Sequence, residues 1–151
     1  NGLALQFARD AYDGWWREAL FQHRHSTHPL KGINSIVLAA VRQNGLALQF
    51  ARDDLKSNRQ ILLTAVRQNG LALQFANNAF KNDLEIVLAA VNQNGLALQF
   101  ASDTLKNDGG IVYVAARQNG LALEFTSLEL KNDHEIAAVA MKTKPKSHKL
   151  H

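Results

Sequence analysis

The stretch Gln68–Val91, QNGLALQFANNAFKNDLEIVLAAV, decides the fold. Its opening recurs along the chain. NGLALQF starts at residues 1, 44, 69 and 94, and NGLALEF starts at 119. From the second copy onward the period is a strict 25 residues. A fixed period of this length marks a solenoid, in which each unit buries its apolar face against its neighbours. The units are 1–43, 44–68, 69–93, 94–118 and 119–141, forming one array over residues 1–141, with a basic tail at 142–151.

Each unit reads as two short helices. In unit 69–93 the first spans Leu71 to Phe80, with Leu73, Ala76 and Phe80 on one face and Leu71 and Phe75 on another. The second opens at the capping patterns Asn82-x-x-Glu85, Asn132-x-x-Glu135 and Ser57-x-x-Gln60. It continues through an Ala-rich run and stops at Asn-Gly, where glycine is expected to take the left-handed cap conformation. Gly109-Gly110 replaces the capping pair in unit 94–118 and predicts a loosened helix start. The expected architecture is all-α, an α-solenoid of two-helix repeats. A leucine-rich-repeat-like α/β solenoid is the alternative, since Ile36-x-x-Ala39-x-Val41-x-x-Asn44-x-Leu46 fits that template. Against it, the second template position is never Leu, and capping boxes serve no purpose on a strand.

These residues resemble a tandem family of short helical repeats, a "domain of unknown function" carrying QNG-x-AL…LK-x-D-x-EIVL-x-AV. The resemblance covers residues 30–141 and the stub 1–10, and departs at Gly109-Gly110, at Thr126 to Leu130 and across 11–28. It implies repeated helical modules and an interaction role, and it supplies no catalytic residues.

The first unit holds an insertion near 11–28, AYDGWWREALFQHRHSTH, with both tryptophans of the chain. Trp15 and Trp16 are candidate partner anchors, because aromatic residues dominate interface hot spots; the competing role is to cap the open end of the stack. His23, His25 and His28 have a spacing that invites a transition metal, but no carboxylate lies between them to orient the rings. No metal or cofactor is therefore expected. The absence of Cys excludes thiol catalysis and disulfides. Phosphate loops, nucleophile elbows and H-E-x-x-H pairs are absent too, so the chain is not expected to be an enzyme.

Specificity in a solenoid belongs to positions that vary between units. The triplet after the first helix is Arg52-Asp53-Asp54, Asn77-Asn78-Ala79, Ser102-Asp103-Thr104 and Ser127-Leu128-Glu129. A second variable pair is Arg59-Gln60, Leu84-Glu85, Gly109-Gly110 and His134-Glu135. Both sets are expected on exposed surfaces and are the candidate partner-binding residues. The reading is a protein–protein interaction or scaffolding module. Asn1-Gly2 opens inside a repeat, which fits an accessory piece of a larger assembly. RNA binding by a modular code is the alternative, suggested by the constant Gln43, Gln68, Gln93 and Gln118. A code needs variation at its reading positions, so this row is expected to cap helices and link repeats instead.

The 17 basic and 13 acidic residues give +4. Residues 1–68 hold nine basic and five acidic groups, whereas 69–141 hold four and eight. A dipolar array of this kind favours a complementary protein or end-to-end self-association over a continuous nucleic-acid track. No membrane span is expected. The lack of Cys, signal peptide and glycosylation acceptor favours an intracellular setting.

Overall fold

The computed structural model describes residues 29–144, with side chains described from Asn34 onward. Trp15, Trp16, His23, His25 and His28, the insertion, the stub 1–10 and the tail beyond Lys144 fall outside the described residues. The chain divides into two compact units, Asn1–Ile36 and Val37–His151. The second is described below; of the first, only the opening of α1 (Pro29–Gln43) is described.

Among the described residues there are thirteen helical segments and no strand. The protein is an all-α solenoid, and the leucine-rich-repeat alternative fails. Each repeat nevertheless has three elements, not two. A 3-10 segment comes first: Gly45–Phe50, Gly70–Phe75, Gly95–Phe100 and Gly120–Phe125. A single α-turn follows: α2 (Asp53–Lys56), α4 (Asn78–Lys81), α6 (Asp103–Lys106) and α8 (Leu128–Asn132). A long helix closes the repeat: α3 (Arg59–Gln68), α5 (Leu84–Gln93), α7 (Gly109–Gln118) and α9 (His134–Thr143).

The expected continuous helix Leu71 to Phe80 is broken by Ala76 (φ −71°, ψ 151°) and Asn77 (φ −70°, ψ 168°), which are extended. The break has a physical cause. Asn77 turns its side chain onto the N–H of Phe80 and so begins a new helix. The caps of the long helices also sit one residue later than the sequence pattern predicts. They are Asn58, Asp83, Asp108 and Asp133, whose carboxylate or amide oxygens accept from Ile61, Ile86, Ile111 and Ile136. Asp108 explains why Gly109-Gly110 does not loosen α7: the cap precedes the glycines, and the helix starts at Gly109.

The Asn-Gly corners differ from expectation as well. Among the described residues no glycine has positive φ. Asn69 ends α3 and at once caps the next 3-10 segment, accepting from Leu71 N–H at 3.1 Å. The glycine is demanded by space. A Cβ on Gly70 would lie 2.3 Å from the carbonyl oxygen of Ala90, and Gly45 and Gly95 would meet Ala65 and Ala115 at 2.3 Å each. The 3-10 segment thus rests its backbone directly on the long helix of its own repeat.

Burial repeats with the same period. On each long helix the core positions are adjacent pairs one turn apart: Ile61, Leu62, Ala65 and Val66, then Ile86, Val87, Ala90 and Val91, then Ile111, Val112, Ala115 and Ala116. These twelve side chains are at most 1% exposed. Each large one contributes about 1.5–3 kcal/mol on burial. The 3-10 segments add Ala47-Leu48, Ala72-Leu73, Ala97-Leu98 and Ala122-Leu123. Each long helix packs on the 3-10 segment of its own repeat, and α3, α5 and α7 also pack on that of the following repeat.

The 25-residue pattern breaks after α9. A further repeat would need Asn-Gly at 144–145, and the chain has Lys144-Pro145. Proline has no N–H to offer a glutamine of the kind that holds Gly45, Gly70 and Gly95. Among the described residues Met141 is 78% exposed, at the position where Val66, Val91 and Ala116 are fully buried.

Candidate functional site

Two lines of hydrogen bonds run across the repeats, one along each edge, and together they fix which side chains remain free. On the first edge, Gln68 Oε1 accepts from Gly45 N–H at 2.6 Å, and its Nε2 donates to the Gln43 carbonyl at 3.0 Å. Gln93 accepts from Gly70 at 2.5 Å, and Gln118 accepts from Gly95 at 2.6 Å while donating to the Gln93 carbonyl at 3.4 Å. Thr143 stands where the next glutamine would be, and its hydroxyl donates to the Ala116 carbonyl at 2.6 Å. Gln68, Gln93 and Gln118 are therefore engaged with the chain's own backbone.

On the opposite edge, the first residue of the second, third and fourth variable triplets meets the end of the preceding short helix. Asn77 Nδ2 donates to Ser57 Oγ at 3.4 Å, Ser102 Oγ to Asn82 Oδ1 at 2.6 Å, and Ser127 N–H to Asn107 Oδ1 at 3.1 Å. The Ser102 N–H also donates to the Lys81 carbonyl at 2.8 Å. Ser102 and Ser127 additionally cap α6 and α8. Ser102 and Asn77 are thus stacking residues as well as members of the candidate set. Sequence reasoning missed this because a cap that varies among Asn and Ser looks like free variation; the recurring Ser57, Asn82 and Asn107 were the signal.

What remains exposed is the rest of each triplet: Asp53-Asp54, Asn78-Ala79, Asp103-Thr104 and Leu128-Glu129, with Arg52 beside them. Arg52 pairs with Asp54 at 3.2 Å, and Lys56 and Lys106 reach back to Asp53 and Asp103 at 3.6 Å each. Leu128 departs from its Asp and Asn counterparts and is 76% exposed.

The second variable pair contains one inter-repeat ion cluster. Arg59 donates to Asp83 at 2.6 Å and also pairs with Glu85. The hydrogen bond from Arg59 holds the Asp83 carboxyl below its ordinary range, against partial burial, which pushes the other way. The same bond to Asp83, then that to Glu85, raises Arg59 above its usual value. The corresponding positions Leu84, Gly109 and His134 lack this charge, so the cluster joins one junction only.

Among the described residues no group of His, Asp and Glu is placed to hold a metal ion. No helix there is long and apolar enough to cross a membrane. No curated protein and no solved structure matches the chain. The family model for the domain of unknown function (DUF4116) matches three overlapping stretches, 35–81, 58–106 and 83–131. These end at Lys81, Lys106 and Lys131, the last one or two residues of α4, α6 and α8, so each match holds one whole repeat and both of its junctions with the neighbouring repeats. With its matches spanning residues 35–131, the chain belongs to the family of the domain of unknown function DUF4116.

Proposed function

We propose that the array is a non-enzymatic platform that binds another protein through the exposed row Asp53-Asp54, Asn78-Ala79, Asp103-Thr104 and Leu128-Glu129. One observation carries the reading. Residues that recur from repeat to repeat are used by the stack itself, while residues that differ are mostly exposed on one edge. Such a division lets a solenoid change its partner without changing its core. An RNA-reading role has less support, since the glutamines that would read bases are bound to backbone groups of the chain.

Amine-reactive cross-linking tests this directly, because Lys56, Lys81, Lys106 and Lys131 mark the same edge at every repeat. The expected result is cross-links from these lysines to a second protein. Cross-links confined to the chain itself, together with ultraviolet cross-links to RNA, would speak against the proposal.

A further inference from the structure

The long helices run parallel and in register, since the links between neighbours join like ends. Arg59 links the N-terminal ends of α3 and α5, and the glutamine bonds link the C-terminal ends. Every repeat therefore contributes the same end of its helix to the same edge. The sequence places charges by end: acids favour helix N-termini and cations favour C-termini, where each offsets the local helix dipole. Ten acidic residues lie between Val37 and Lys144, and nine of them fall in 52–60, 77–85, 102–110 and 127–135 at the N-terminal edge. The tenth is Glu124, on a 3-10 segment. The C-terminal edge, formed by 41–46, 66–71, 91–96, 116–121 and 141–144, carries no acid at all.

That edge instead carries Arg42, Arg67, Arg117, Lys142 and Lys144, all exposed. Among the described residues none of these five is in an ion pair, whereas four of the six Lys and Arg residues on the other edge, Arg52, Lys56, Arg59 and Lys106, are. At the third repeat the row is interrupted by Asn92. We propose that this edge binds an extended acidic segment of a protein, with carboxylates seated on Arg42, Arg67, Arg117 and Lys142.

The spacing fits. Packed helices lie about 8–10 Å apart, and a polyproline-II strand advances about 9 Å per three residues. One carboxylate every third residue would meet one cation per repeat, with no acid required opposite Asn92. A single-stranded nucleic acid is less well matched. Its binding surfaces combine cations with aromatic platforms for the bases, and the five edge segments contain no aromatic residue. Arg42 and its equivalents are long enough to reach across the exposed helix ends, and guanidinium suits bidentate capture of carboxylates.

The proposal rests on the reading that the array binds another protein, but it concerns the opposite edge. Its failure, with lysine cross-links on the acidic edge intact, leaves that reading standing.

The test uses the whole chain and a fluorescein-labelled peptide of five Glu-Pro-Pro repeats at low salt. Saturable binding that weakens with added salt is expected, as is a loss on the order of tenfold in a triple variant Arg42→Gln, Arg67→Gln, Arg117→Gln with an unchanged circular dichroism spectrum. Asn92→Arg fills the gap and should tighten binding severalfold. That gain should vanish when the middle glutamate of the peptide is replaced by glutamine. Equal binding by the triple variant, no effect of Asn92→Arg, or tighter binding of a 15-mer of polyuridine than of the peptide would each overturn the proposal.

Discussion

Gln68 holds Gly45, twenty-three residues before it, by a 2.6 Å hydrogen bond to the glycine N–H, and its other amide atom reaches the carbonyl of Gln43 in the preceding repeat. One side chain thus closes its own repeat and ties it to its neighbour. Gln68→Ala leaves the Gly45 N–H and the Gln43 carbonyl without that partner. A loss of about 1–2 kcal/mol is expected, read as a shift in the urea midpoint. Gln68→Glu keeps the acceptor, loses the donor and should fall between the two.

The close approach at Gly70 is equally specific. Gly70→Ala would drive a Cβ to 2.3 Å from the Ala90 carbonyl oxygen, a backbone atom that cannot step aside. It should cost about 3 kcal/mol or more. Gly109→Ala is the contrasting case, since its Cβ would meet only Leu130 at 3.8 Å. There the helix gains a better former, and stability should rise by about 0.5–1 kcal/mol. Thermal melts of the two variants check both signs together.

How far the sequence reached is visible in these glycines. The 25-residue period, the core positions of the long helices and the stacking role of the glutamines all follow from pattern. The role of the Asn-Gly glycines does not. A left-handed cap and a backbone resting on a neighbouring carbonyl select the same residue, and only the structure separates them. Likewise LALQFANNAF has helical spacing throughout, so nothing in the periodicity reveals the extended Ala76-Asn77 step. Caps shifted by one residue for a related reason: KND offers two good capping residues side by side, and the helix is capped by Asp83, not Asn82.

The candidate triplets divide in the same way. Ser102→Ala removes both the cap of α6 and the bond to Asn82, and should cost about 1 kcal/mol. Asp103→Asn and Thr104→Ser, on the exposed row, should stay within about 0.5 kcal/mol of the parent. Chemical denaturation of the three variants separates stacking residues from free ones.

Asp83 supplies a pH-dependent term. Its folded-state carboxyl lies below the ordinary range, chiefly through Arg59, so its contribution is present above that range and is lost as pH falls through the lowered value. Asp83→Asn keeps a capping side chain, as Asn58 does at the corresponding position of α3, and removes the charge. The parent should be the more stable at neutral pH, by a margin that holds down to about pH 5 and closes below about pH 4. Melting temperatures across that window check it. A constant margin would mean that the charge is not what matters.

If the array binds a protein through its exposed row and not through its stacking residues, the two sets separate in one experiment. The most direct measurement compares the proteins cross-linked to the parent chain with those cross-linked to a variant carrying Asp53→Ser, Asp54→Ser, Asn78→Ser, Asp103→Ser, Thr104→Ser and Glu129→Ser, both quantified by mass spectrometry. The expected result is an unchanged melting curve within a few degrees and loss of a partner protein that the parent retains. Recovery of the same proteins in the same amounts by both chains would contradict it.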